Sequence, residues 1–229
     1  MKTPKPMSRS LRALARLLGY PDAELRAHLD ELRLALRAEA ALTPERSAEV
    51  GALIDSIAAQ DALDAEADYV QLFDSGRRTS LHLFEHVHGD SRDRGPAMID
   101  LAQTFEKAGL YLADGEMPDH LPVVLEYAST QPPREAREFL AEMAHILNVV
   151  FSALRQRGSR YASVLGALIE LAGEKAAAVA LPDEAPIDDS WAEPAAFDGC
   201  SVAGQGRADQ PQPIQIQRKT AGTAAGARP

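Results

Sequence analysis

The sequence predicts an all-α fold, because apolar side chains recur at helical spacing through most of residues 8–180. No segment alternates apolar and polar residues over the length of a strand with enrichment in β-branched residues. Eight or nine helices are expected in a single globular domain, without the fixed repeat of a solenoid. Two series show the helical spacing clearly: Leu25, Leu29, Leu32 and Leu36, then Phe139, Met143, Ile146 and Val150.

Residues that stop or start helices divide this stretch into its elements. The first break is expected at Gly19, ahead of Pro21. Thr43 is a suitable N-cap for a helix whose first residue is Pro44, where the missing N–H of proline does no harm. Further breaks are expected along the chain at Gly76, Gly109, Pro132-Pro133 and Gly158.

The composition changes at about residue 181. Residues 182–229 are rich in Pro, Gly, Ala and Gln, and they hold too few apolar side chains to offset the entropy of ordering the chain. We therefore expect a helical domain over residues 8–181 and a disordered tail over residues 182–229. Within the tail, Trp191 and Phe197 are either exposed aromatics or groups that dock transiently on the body or on a partner.

Charge and cysteine content exclude several classes of function. The formal net charge of -10 disfavours nucleic acid and anionic lipid as partners and favours a basic partner. The single cysteine, Cys200, rules out an internal disulfide, an iron–sulfur cluster and a four-cysteine zinc site. No apolar run is long enough to span a membrane, and the first ten residues lead into no signal-peptide core. We expect a cytoplasmic protein without stable membrane insertion.

A histidine-rich stretch carries a pattern seen in one class of zinc peptidase, H-x-x-E-H at His82, Glu85 and His86. If residues 78–88 form a helix, these three side chains share one side of it, and His88 points too far round to join them. A catalytic zinc site also needs a third protein ligand, and the sequence identifies none. The stretch is therefore either the site of a metal-dependent hydrolase or a polar helix face that is solvated or lines a groove.

A second motif sets Tyr69, Leu72 and Phe73 at helical spacing just before Gly76. Aromatic packing in the core is the favoured interpretation, over a box for a cofactor.

A third motif gathers Glu116, Pro118, Asp119 and His120 where a loop enters a helix. Asp119 is a natural N-cap for that helix. Capping does not explain why Glu116 and His120 accompany it. Elsewhere the chain has no nucleophile elbow and no Walker loop, so no catalytic set is visible.

Three segments together resemble the delta subunit of respiratory nitrate reductase. They are residues 80–95, the Y-x-x-L-F pattern at residues 69–73 and the E-x-P-D-H pattern at residues 116–120. That family consists of molybdenum cofactor assembly chaperones, and it is similar to the all-helical redox-enzyme maturation chaperones in general. The resemblance extends over residues 8–200. His82 departs from the family pattern, which has an aliphatic residue there.

The resemblance implies a binding function and no enzyme activity or cofactor. A member would bind the N-terminal segment of the nitrate reductase catalytic (alpha) subunit. It would keep the apoenzyme ready for its iron–sulfur cluster and molybdenum cofactor, and it would leave before the enzyme is finished. A structural subunit of the membrane-bound complex is the competing role. The expected peptide-binding residues are Tyr69, Leu72, Phe73, Glu85, His86, His88, Glu116, Pro118, Asp119 and His120.

Overall fold

The computed structural model describes residues 5–89 and 91–179, and it confirms the all-α prediction for these ranges. No strand occurs among them. The helices are α1 (Ser8–Leu17), α2 (Ala23–Ala27), α3 (Leu29–Glu39), α4 (Pro44–Ala59), α5 (Ala62–Phe73), α6 (Leu83–Val87), α7 (Arg94–Lys107), α8 (Leu121–Thr130), α9 (Pro133–Glu142), α10 (Ala144–Gln156) and α11 (Ala162–Leu171).

The eleven helices of the described residues exceed the predicted eight or nine, because both series of apolar residues cross a break between two helices. His28 separates α2 from α3, and its N–H bonds the carbonyl of Leu25, three residues back, instead of continuing the α-helical pattern. Met143 separates α9 from α10 in the same way. The helical spacing of apolar residues continues through each break. The sequence alone therefore predicts one continuous helix where the chain forms two.

The predicted start of α4 is confirmed. The Thr43 side chain accepts the main-chain N–H of Arg46, and Pro44 is the first helical residue. A carboxylate from a distant helix adds to this cap, since Glu170 of α11 accepts the main-chain N–H of Thr43 at 2.6 Å. The start of α4 is therefore tied to the centre of the fold.

The centre of the fold is α11, in which nine of ten residues are buried. It packs against α10, α4, α9 and α1, so it is apolar on every side, as a fully enclosed helix should be. Helix α1 covers one side of this centre and also packs along α8. Its inner face is closed by side chains without exposed area, namely Leu11, Leu14, Leu17 and Leu18, and each contributes about 1.5–3 kcal/mol through burial.

Beyond α11 the chain returns along α10. Gly173 has a φ of 80°, and a side chain there would meet the guanidinium of Arg137. Two hydrogen bonds then attach the segment to α10: Ala177 N donates to Asn148 Oδ1 at 2.8 Å and Val179 N donates to Ser152 Oγ at 3.0 Å. The predicted domain boundary at 181 and 182, the tail, Trp191 and Phe197 lie outside the described residues.

None of the helices in the described part of the chain is long and apolar enough to cross a membrane. The basic residues of α1, Arg9, Arg12 and Arg16, lie on its exposed face, opposite the buried leucines.

Candidate functional site

Two chain segments meet where α6 and α8 begin. Main-chain hydrogen bonds of 2.8 and 3.0 Å join residues 81–83 to residues 119–121, which creates an isolated antiparallel bridge between His82 and His120. The two imidazole rings stack with their centroids 5.0 Å apart. We call this region the α6–α8 corner and define it as residues 80–88, residues 116–121 and Arg94.

Asp119 is the anionic centre of the corner, and its side chain is fully buried. Its Oδ1 accepts a hydrogen bond from Nδ1 of His82 at 3.2 Å, and its Oδ2 accepts the main-chain N–H of Phe84 at 3.2 Å. The Arg94 guanidinium lies 3.6 Å from the same Oδ2. A carboxylate removed from water is costly unless it is paired and hydrogen-bonded, and these three donors meet that requirement.

The predicted cap on α8 is wrong, because Asp119 caps another helix. His120 is the N-cap residue of α8 and makes no capping hydrogen bond with its side chain. Phe84, whose N–H the Asp119 carboxylate accepts, is the second residue of α6 and lies 35 residues away in the chain. Pro122 in the first turn of α8 has no N–H, so that turn already has fewer donors to satisfy. The bridge between the two segments turns Asp119 towards α6.

The corner shifts three pKa values in opposite directions. The hydrogen bond to Asp119 raises the pKa of His82, despite the opposing effect of burial. Burial by itself would raise the pKa of Asp119, but the bonds from His82 and Phe84 and the charge of Arg94 lower it overall. Burial, together with the nearby charge of His82, lowers the pKa of His120. At neutral pH the corner therefore combines an ionised Asp119 with a neutral His120.

Arg94 is a member of the corner that the sequence analysis missed. Its Nη2 lies 3.5 Å from Glu85 Oε1 as well as 3.6 Å from Asp119 Oδ2, so one guanidinium links the start of α7 to two carboxylates. A single arginine at the start of a helix carries no recognisable pattern. Only the folded chain brings it to Asp119.

The shared face of the zinc-peptidase pattern depended on a helix over residues 78–88, and the structure does not form that helix. Helix α6 spans only Leu83–Val87, and His82 before it is extended because its segment pairs with residues 119–121. His82 bonds Asp119, whereas His86 Nε2 donates to the carbonyl of Ser80 at 2.9 Å. Within residues 5–89 and 91–179, no group of three or more His, Cys, Asp or Glu residues is arranged to hold a metal ion. The geometry gives the hydrolase alternative no support.

Tyr69 and Phe73 form an aromatic cluster beside the corner, in agreement with the packing interpretation. They are 8% and 4% exposed, and both rings contact Tyr161. The Tyr69 hydroxyl donates to the carbonyl of Leu18 at 2.6 Å, so this buried hydroxyl has a hydrogen-bond partner inside the protein. Burial raises the pKa of both Tyr69 and Tyr161. Tyr69 and Phe73 are therefore part of the hydrophobic core.

Leu72 connects the aromatic cluster to the corner through its main chain. Its carbonyl accepts hydrogen bonds from the Thr79 hydroxyl and, at 3.2 Å, from Nη1 of Arg157. Thr79 is fully buried and directly precedes Ser80, the first residue of the corner. The end of α5 therefore fixes the start of the segment that carries His82.

The other expected binding residues differ in accessibility. Pro118 is buried, whereas Glu116 is exposed and accepts the main-chain N–H of Ala113 at 3.0 Å. His88 is half-buried and packs edge-on against Phe84, with ring centroids 5.4 Å apart. The structure thus brings Glu85, Asp119 and His120 together and leaves Glu116 at the margin.

Comparison with known proteins identifies the family. A family model described as the nitrate reductase delta subunit matches residues 19–165, a range that contains the aromatic cluster and the whole corner. The chain belongs to the nitrate reductase delta subunit family. The predicted resemblance is thereby confirmed.

Two proteins of Escherichia coli (strain K12) illustrate the similarity. The chain is 48% identical over 159 residues to the nitrate reductase molybdenum cofactor assembly chaperone NarJ, an alignment that covers 69% of this chain and 67% of NarJ. It is 38% identical over 163 residues to NarW, which covers 71% of this chain and 68% of NarW. NarJ is named as an assembly chaperone, and that name agrees with the prediction of a chaperone rather than an enzyme.

A solved structure shares the fold. It is a candidate redox enzyme maturation protein from Archaeoglobus fulgidus, with a TM-score of 0.52 and 20% sequence identity. The match covers 76% of this chain and 98% of the archaeal chain. At this identity the match concerns the fold alone, and it agrees with the all-α architecture.

Proposed function

We propose that this delta-family chain is a chaperone dedicated to nitrate reductase. In this proposal it binds the N-terminal segment of the catalytic (alpha) subunit in the cytoplasm. It keeps the apoenzyme ready for insertion of the iron–sulfur cluster and the molybdenum cofactor, and it leaves before the enzyme is complete. The observation that carries the proposal is the 48% identity over 159 residues to the assembly chaperone NarJ.

The α6–α8 corner is the proposed contact surface for the peptide. Its accessible groups are the Glu85 and Glu116 carboxylates and the imidazoles of His86, His88 and His120. Four of the expected binding residues are buried, namely Tyr69, Phe73, Pro118 and Asp119, and Leu72 is half-buried. In this proposal these five side chains hold the surface in place instead of meeting the peptide directly. The exposed Glu116 carboxylate and the half-buried Glu85 carboxylate, next to half-buried rings, suit a segment that presents both basic and apolar side chains.

Electrostatic attraction should contribute to this binding. The chain carries a formal net charge of -10, so a basic segment is attracted to it before contact. At physiological ionic strength exposed charges are screened beyond ~8 Å. The affinity for a basic peptide should therefore fall as salt is added.

Calorimetric titration tests this proposal with the full chain and a synthetic peptide that copies the N-terminus of the catalytic subunit. We expect micromolar affinity, about -8 kcal/mol. Glu116→Ala should weaken binding about threefold, as loss of one exposed ion pair does. The matched control is Glu31→Ala, which removes an exposed carboxylate from α3. Unchanged affinity in a folded Glu116→Ala variant would place the peptide elsewhere, and no binding to wild type would reject the proposal.

A further inference from the structure

A pocket of about 460 Å³ lies between α3 and one side of α4. We call it the α3–α4 pocket, and it shares no residue with the α6–α8 corner. Its volume is in the range of pockets that hold a small ligand. Its polar lining consists of Arg33 and Arg37 from α3 together with Ser47 and Asp55 from α4.

The two arginines of the pocket differ in what holds them. The Arg33 side chain is 21% exposed and donates a hydrogen bond to the Asp55 carboxylate. Its Nη1 also lies close to α4, since a Cβ placed on Gly51 would be only 3.7 Å away. Arg37 is exposed and makes no hydrogen bond or ion pair with any residue in the ranges 5–89 and 91–179. One guanidinium is therefore held in place, and the other is available to a ligand.

The pocket carries a local positive charge in an acidic protein. Its lining has two guanidiniums and one carboxylate, whereas the whole chain has a formal net charge of -10. The hydrogen bond from Arg33 lowers the pKa of Asp55, and the charges of Arg33 and Arg37 lower it further. Asp55 is thus ionised at neutral pH, and one positive charge remains in excess. The pocket therefore favours an anionic ligand.

Ser47 adds a hydroxyl group to the two guanidiniums. It is half-buried, and its hydroxyl makes no hydrogen bond to another residue of the described part of the chain. The remaining α4 side of the pocket is formed by small residues, namely Ala48, Gly51 and Ala52. These leave room for the rest of a ligand beside the polar groups.

We propose that the α3–α4 pocket binds a phosphate group, carried by a small phosphomonoester or present as free phosphate. A phosphate group offers three strong acceptor oxygens, and the pocket offers three donor groups, those of Arg33, Arg37 and Ser47. The planar guanidinium also matches phosphate oxygens with two parallel N–H···O bonds. A carboxylate has only two oxygens, so it would leave one of the three donor groups unmatched.

This inference goes beyond the proposed function, because its ligand is a small anion and not a basic peptide. The two sites have no residue in common. Variants of the α3–α4 pocket therefore leave the test of peptide binding unaffected.

Nuclear magnetic resonance titration of the isotope-labelled full chain tests the inference. The ligands are phenyl phosphate and inorganic phosphate, and benzoate serves as the carboxylate control. We expect saturable shifts of the main-chain N–H groups of Ser47, Ala48 and Gly51 with both phosphates, and weaker binding of benzoate. Tighter binding of phenyl phosphate than of inorganic phosphate would identify a phosphomonoester as the ligand, and equal affinities would identify free phosphate.

Three variants locate the ligand within the pocket. Arg37→Gln should weaken phenyl phosphate binding about tenfold, because the ligand loses a charged donor. Asp55→Asn should strengthen it about threefold, because the carboxylate no longer competes for Arg33 and no longer repels the anion. Arg134→Gln is the matched control, since it removes a 74% exposed arginine from α9, and it should leave the affinity unchanged. Circular dichroism confirms that each variant is folded.

Four results would overturn the inference. They are the absence of saturable shifts with either phosphate, binding of benzoate as tight as that of phenyl phosphate, unchanged affinity in a folded Arg37→Gln variant, and weaker binding by Asp55→Asn than by wild type.

Discussion

Asp119 should be the most sensitive single position in the corner. Asp119→Ala removes the acceptor of the Phe84 N–H and of His82 Nδ1, and it removes one of the two carboxylates beside Arg94. A buried donor left without an acceptor costs about 1–3 kcal/mol. His82 and Arg94 are 35% and 28% exposed, so water compensates part of their loss. We expect the free energy of unfolding to fall by about 3 kcal/mol.

Asp119→Asn keeps the shape of the side chain and separates hydrogen bonding from charge. Its amide oxygen can accept one of the two bonds, while the amide nitrogen faces the other donor. We expect this variant to lose roughly half as much free energy of unfolding as the alanine variant, about 1.5 kcal/mol.

The pH dependence provides a second signature of the same pair. Because the pKa of His82 is raised above 6.5 chiefly by Asp119, the contribution of protonated His82 is fully present below pH 6.5. That contribution is lost as the pH rises through the folded pKa. The stability gap between wild type and Asp119→Asn should therefore be larger at about pH 6 than at about pH 8.5. The pKa of Asp119 is itself lowered, so the gap should close in acid, below the ordinary carboxyl value of 3.8.

Urea unfolding followed by circular dichroism measures these differences. Asp100→Ala is the matched control, because Asp100 is an exposed carboxylate on α7 and its loss should change stability by less than about 0.5 kcal/mol. An Asp119→Ala variant as stable as the Asp100→Ala control would refute the role of Asp119 as the cap of α6. So would a stability gap that does not depend on pH.

Three further predictions concern other parts of the chain. Tyr69→Phe should lower the free energy of unfolding by about 1–2 kcal/mol, because the carbonyl of Leu18 loses its buried donor; urea unfolding measures it. The purified chain should carry no stoichiometric metal in elemental analysis after gel filtration. One zinc per chain that is lost in the His86→Ala variant would instead support a metal-dependent hydrolase. Removal of residues 182–229 should leave the melting temperature nearly unchanged, and a fall beyond ~5 °C would place part of that segment in the core.

Local patterns predicted the helices, because the residues that cap and cover a helix are close in sequence. Thr43 and Pro44 are one example: cap and first turn are adjacent, and both are in the predicted place. The breaks at His28 and Met143 escaped prediction, because apolar spacing continues across them and neither position is a glycine or proline.

The sequence predicted most residues of the corner, but it missed Arg94 and the contacts that join the two segments. The E-x-P-D-H pattern pointed to Asp119 and His120, yet the partners of Asp119 are His82, Phe84 and Arg94. Each of them lies at least 25 residues away along the chain, which no local spacing reveals. The bridge between residues 81–83 and 119–121 also explains why α6 begins only at Leu83, because it holds His82 in an extended conformation.

We propose that this chain binds nitrate reductase before the enzyme is finished. The most direct test captures the tagged full chain from cells that produce the enzyme, with and without a functioning molybdenum cofactor pathway, and measures the metal content of what is bound. The account predicts capture of the catalytic subunit without molybdenum, in larger amount when cofactor synthesis is blocked. Stoichiometric capture of the finished, molybdenum-loaded enzyme, or no capture of the catalytic subunit in either cell, would contradict it.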